Sequence, residues 1–144
     1  MHSSGSGPPT LQRNDEARPA LVKLLWVQGL YFLVTGVWPL VDIDSFQIVT
    51  GPKTDLWLVR TVGVLIAVIA LSLISAALAQ RVNREVFILG VGSAIALAVI
   101  DIIYVSQEVI AKIYLADAVV EGLIIAAWLS LFRLGDRQTV EVRA

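Results

Sequence analysis

Four ionisable residues lie within long apolar runs: Arg60, Asp101, Asp117 and Glu121. Carboxyl and guanidinium groups in such settings can bind ions, pass protons, or act as acid and base. Asp117 and Glu121 are four residues apart, so in a helix both carboxyls share one face. The run after Arg60, from Thr61 to Ala79, holds no charge, and only Ser72 and Ser75 interrupt its later part. A helix apolar on every side is buried in lipid or in a large core, and a 144-residue chain is too short for a large core. A charge at the bilayer centre costs roughly 2.5–3.5 kcal/mol even on the lenient insertion scale. Each of the four therefore needs a partner.

The elements that position them are four spans, about Ala20–Val41, Pro52–Ala79, Val86–Val105 and Ile113–Phe132. At about 1.5 Å per residue, Arg60 lies roughly 6 Å inside the apolar boundary at Leu56, Asp101 and Asp117 lie roughly 6 Å inside the same end of their spans, and Glu121 lies one turn deeper. Gln28, Tyr31, Thr35 and Trp38 follow helical spacing along the first span and form one polar and aromatic stripe. The stripe reads either as interhelical packing ending in an interface Trp or as one wall of a polar pocket. Tyr31, Thr35, Tyr104 and Tyr114 are near enough in register to hydrogen-bond the charged layer. The fourth span has about ten strongly apolar residues worth roughly −0.3 to −0.6 kcal/mol each, which two acids at up to about 3 kcal/mol apiece nearly cancel. It needs Asp117 and Glu121 to face the bundle interior. One Arg cannot neutralise three carboxylates, so the excess charge calls for a proton, a cation, a cationic ligand or water.

The rest of the chain punctuates these spans. Residues 1–19 read as a disordered tail, too poor in apolar area to offset the entropy of ordering, and charges at Arg13, Asp15, Glu16 and Arg18 break the pattern of a signal peptide. Pro19 opens the first helix, and Pro39 ends or kinks it. The stretch VDIDSFQIVTGPKTD reads as a loop with an apolar patch at the interface, followed by Pro52 at the first helical position, capped by Thr50 or Gly51, and Trp57 as a headgroup-level anchor. Gly90, Ala94 and Ala98 form a small-residue ridge leading to Asp101, and Ala118, Gly122 and Ala126 form a second beside the acids. Residues 133–144 read as a polar, frayed tail.

Composition narrows the function. Hydrophobic residues make up 57% of the chain and charged residues 16%, and the net charge is −1 without a basic stripe, which argues against nucleic-acid binding. There is no Cys, so thiol catalysis, disulfides and thiolate metal sites are excluded, and the one His is residue 2. No cofactor or metal site is expected.

The segment GVWPLVDIDSFQIVTGPKTDLWLVRTVGVL, together with AVIDIIYV and IYLADAVVEG, resembles a family of small bacterial four-helix membrane proteins over nearly the whole of the four spans. The resembling stretches contain Arg60, Asp101, Tyr104, Tyr114, Asp117 and Glu121. The resemblance implies a fold and a location but no reaction. A looser likeness, in size and four-helix layout only, is to DoxX-like membrane proteins.

These readings combine into an all-α, up-down transmembrane four-helix bundle in the bacterial inner membrane, contacting the lipid bilayer and either self-associating or joining a larger complex. The expected site comprises Arg60, Asp101, Asp117, Glu121, Tyr31 and Tyr104, and takes a small polar or cationic ligand or relays protons. The alternative is an accessory scaffold whose charge layer only clamps the helices, with the loop from Asp42 to Asp55 meeting a partner. A membrane enzyme acting on lipid headgroups ranks third, since no nucleophile accompanies the acids.

Arg13, Arg18, Lys23, Arg81, Arg84, Arg133, Arg137 and Arg143 fall on one side, against Lys53, Arg60 and Lys112 on the other. This asymmetry puts both termini in the cytoplasm. In the otherwise Cys-free chain, Ser45→Cys is expected to react with an impermeant maleimide from the outer face of intact cells. Labelling only after permeabilisation reverses the orientation.

Overall fold

The structure, a computed structural model, describes the backbone of residues 9–141 and the side chains of residues 18–132. Among the described residues, five helices follow in order: α1 (Pro9–Val41), α2 (Ile43–Thr50), α3 (Leu56–Leu78), α4 (Arg84–Ser106) and α5 (Tyr114–Glu141). Four are long and apolar enough to cross a membrane, over Arg18–Val41, Leu56–Leu78, Arg84–Ser106 and Tyr114–Phe132. Much of their outer surface is bare aliphatic side chain, with Val34, Leu65, Val68, Leu71, Val119 and Leu123 all more than half exposed. A surface of that kind belongs in lipid. The chain is a multi-pass integral membrane protein folded as an up-down four-helix bundle.

The helix boundaries differ from the sequence reading where local signals compete. α1 begins at Pro9 and carries Pro19 and Pro39 inside it, so Pro19 does not open the helix and Pro39 does not end it. A proline deletes one backbone hydrogen bond, but here packing holds the turn: Pro39 is buried, and a Cβ added to Gly63 would lie 3.3 Å from its Cγ. Pro52 lies outside α3, which starts at Leu56 after Asp55. The expected N-terminal tail is helical from Pro9 to Arg18, and α5 runs on to Glu141 through most of the expected C-terminal tail. Residues 1–8 and 142–144 of those tails lie outside the described residues.

The loop reading of VDIDSFQIVTGPKTD also gives way to a short helix. Asp42 caps α2 by accepting a 3.0 Å hydrogen bond from the Ser45 N–H. That bond holds its carboxyl below the usual carboxylate range. The cap is therefore complete at neutral pH and is lost as the pH falls through the depressed value. Gly51 ends α2 with φ of +85°, a left-handed conformation that glycine adopts without a Cβ clash.

α1 packs most extensively on α3, and α4 on α5, while α1 also meets α5. The α1–α3 contact is made by glycines. A Cβ on Gly36 would lie 2.8 Å from the Gly63 carbonyl oxygen, and a Cβ on Gly63 would lie 2.6 Å from the Gly36 carbonyl oxygen. Backbone meets backbone there, as small residues allow in membrane helices. The first small-residue ridge, Gly90, Ala94 and Ala98, is buried. In the second, Ala126 is exposed, and Gly122 is exposed with open space where a Cβ would stand, so that ridge does not pack a neighbour in the bundle.

Gly63→Ala is expected to destabilise the bundle by about 1–3 kcal/mol, as overpacking against backbone does. Gly122→Ala is expected to be neutral or to gain up to about 1 kcal/mol of helix propensity. Reversible unfolding in detergent–lipid micelles measures both.

Candidate functional site

The site is built from one face of each of three helices. On α5, Asp117, Glu121, Ile124 and Trp128 recur at helical spacing, with Glu121, Ile124 and Trp128 buried. On α4 the inward face is Gly90, Ala94, Ala98 and Asp101, all buried. On α1, Gln28, Tyr31 and Thr35 supply the third wall, so the stripe read from the sequence faces the interior.

The deeper end of this interface is a closed polar node. Gln28 is fully buried and donates from Nε2 to the Gly90 carbonyl at 2.8 Å, while its Oε1 accepts from Trp128 Nε1 at 2.8 Å. One amide thus ties α1, α4 and α5 together. Trp128 lies so close to Gly90 that a Cβ there would come within 2.9 Å of the indole. Sequence reasoning passed over Trp128, although its spacing of seven from Glu121 places it on the acid face.

The carboxyls lie above this node. The Tyr31 hydroxyl donates to Asp117 Oδ1. Asp101 is 5% exposed and Glu121 0%, and Asp101 Oδ2 and both Glu121 carboxyl oxygens have no hydrogen-bond partner. Tyr31 lies within electrostatic reach of all three acids.

Arg60 and Tyr104 do not join them. Arg60 is exposed on α3, and since the Glu121 oxygens and Asp101 Oδ2 are unpartnered, its guanidinium does not reach them. The reason is helix packing: α3 packs mainly on α1 and only slightly on α4, and position 60 faces outward, whereas the acids belong to α4 and α5. Near the start of α3, Arg60 can instead snorkel to the headgroups. Tyr104 is 41% exposed, because the inward face of α4 runs from buried Ala98 and Asp101 to half-buried Val105, which turns position 104 outward. The convergence of one guanidinium with three carboxyls is thus replaced by three carboxyls and a phenol.

A cavity of about 270 Å³ adjoins the acids, with Tyr31 and Asp117 among its lining residues, next to Trp38 of α1, Phe46 and Thr50 of α2, and Tyr114 of α5. α2 is held to α1 by the Trp38 Nε1–Ser45 Oγ hydrogen bond of 2.8 Å and by edge-to-face contact of Trp38 with Phe46 at 5.5 Å. Lys53 lies over the Tyr114 ring at 4.9 Å and donates to the Thr50 carbonyl at 3.1 Å. Partial burial pushes its ammonium below the usual lysine range. Among the described residues, no group of three His, Cys, Asp or Glu is arranged to hold a metal ion.

No family model, curated protein or solved structure matches the chain.

Gln28→Leu removes a partner from the Trp128 N–H and is expected to cost about 1–2 kcal/mol. Adding Trp128→Phe to it should recover part of that loss, because the stranded donor is gone. Arg60→Gln, by contrast, should stay within about 0.5 kcal/mol of the parent. Detergent unfolding of the four proteins checks the ordering.

Proposed function

We propose that this protein takes positive charge, as a proton or a cationic ligand, from the outer face of the bacterial inner membrane into the carboxyl cluster between α1, α4 and α5. Both termini face the cytoplasm in this reading, and the α2 end of the bundle faces out. The observation that carries it is the set of buried, unpartnered oxygens on Asp101 and Glu121. Buried carboxylates with neither donor nor counter-charge are among the costliest groups a membrane protein can hold. Structural glue does not account for them, because that role is filled one layer away by Gln28, Gly90 and Trp128, whose side-chain polar groups are satisfied.

The alternative, an accessory scaffold, draws on a different feature. Ala118, Gly122 and Ala126 form a ridge whose Gly122 and Ala126 are exposed, a shape that lets another helix approach closely. In that reading the acids fix the bundle and exchange nothing.

Infrared difference spectroscopy across a pH titration in lipid nanodiscs separates the two. Wild type is expected to show reversible protonation of at least one buried carboxyl. Glu121→Gln should lose one component while its melting temperature stays equal or rises, since an unpaired buried acid has been removed. No carboxyl titration, combined with marked destabilisation by Glu121→Gln and Asp101→Asn, overturns the proposal in favour of the scaffold.

A further inference from the structure

We propose that the cavity beneath α2 binds a small organic ammonium ion, with Asp117 as its counter-charge and the rings of Tyr31, Trp38, Phe46 and Tyr114 around its alkyl groups. This rests on the reading of the cluster as an acceptor of positive charge, and it names the chemical class that the outer part of the site selects.

Three observations converge. First, four aromatic side chains from three helices line one cavity together with one carboxyl. Rings offer a cation the negative face of their quadrupole, and an aromatic enclosure with an acid is the arrangement that recognises alkylammonium groups. Second, buried Asp101 and Glu121 share the cluster with Asp117 and have unpartnered oxygens, so the acids adjoining Asp117 offer acceptors rather than donors. Third, the chain's own ammonium, Lys53, lies over Tyr114 at 4.9 Å, so one ring of the set already carries a cation.

The same features disfavour other occupants. The cavity is lined mainly by carbon, with few oxygens to replace the water shell of an inorganic ion. The described carboxyls are not spaced to cage a metal. An anion would meet three acids. At about 270 Å³ the space lies at the lower edge of ligand pockets, which suits a small amine rather than a lipid or a cofactor.

Calorimetric titration of the full chain in nanodiscs with choline, and with its uncharged carbon isostere dimethylbutanol, tests the proposal. Choline is expected to bind saturably and at least about tenfold more tightly than the isostere. Asp117→Asn should weaken choline by about tenfold or more, and Phe46→Leu by roughly 2- to 30-fold, the range of one ring–cation contact. Phe46 lies on α2, outside the four spans, so its variant keeps the test open if Asp117→Asn fails to fold. Choline binding should also release protons, read as a dependence of apparent heat on buffer ionisation. No saturable binding, equal affinity for the isostere, or indifference to both substitutions overturns the ammonium site. If choline fails while the carboxyl titration lost in Glu121→Gln persists in wild type, only the ligand class falls and proton uptake stands. If both fail, the charge-accepting site itself falls.

Discussion

A carboxyl group in a hydrocarbon layer must meet a donor, a cation or a proton, because lipid supplies none of them. Three such groups, Asp101, Asp117 and Glu121, lie in this bundle, and only Asp117 has a phenolic donor, from Tyr31. The organisation of the helices follows from keeping those acids out of lipid. Asp101 and Glu121 lie on the buried faces of α4 and α5. α1 closes the space with the side of its surface that carries Gln28, Tyr31 and Thr35.

α1 can do this because its two sides have different jobs. Towards α3 it presents Gly29 and Gly36, and the helices approach until backbone touches backbone, a dry contact held by dispersion rather than polar groups. Towards α4 and α5 it presents hydrogen-bonding side chains. α3 packs mainly on α1 and only slightly on α4, and Arg60 is left exposed. The bundle thus has a rigid apolar half and a polar half, and the polar half is graded: the Gln28–Trp128 node has its side-chain groups satisfied, the carboxyls above it do not, and an aromatic cavity beneath α2 completes the series.

That gradient gives the functional reading its physical content. A node that is complete in itself holds three helices in register at little electrostatic cost. In the proposed reading the acids above it change partner, which a structural clamp could not do without loosening the fold. α2, tied down by Asp42, Ser45 and Trp38, lines the cavity with a short element rather than a span. Short elements with few buried contacts lie at the low-stability end of a structure, where binding steps are found.

The four spans, their apolar surroundings and the depth of each ionisable residue were legible in the sequence, because hydropathy and a fixed rise per residue need no knowledge of neighbours. The pairing of Asp117 with Glu121 on one face was legible for the same reason, as was the inward stripe from Gln28 to Thr35. Which way a residue faces at a given depth was not. Arg60 and Asp101 share a level, yet one faces outward and the other inward, because rotation about a helix axis is set by which helix packs against which. Here a pair of glycines, Gly36 and Gly63, decided it by docking α3 on α1. Tyr104 was misplaced by the same kind of rotation, and Trp128 was missed because an apolar ring shows its polar role only when a distant amide, Gln28, comes within reach. Depth is a property of the chain, whereas facing is a property of the contact.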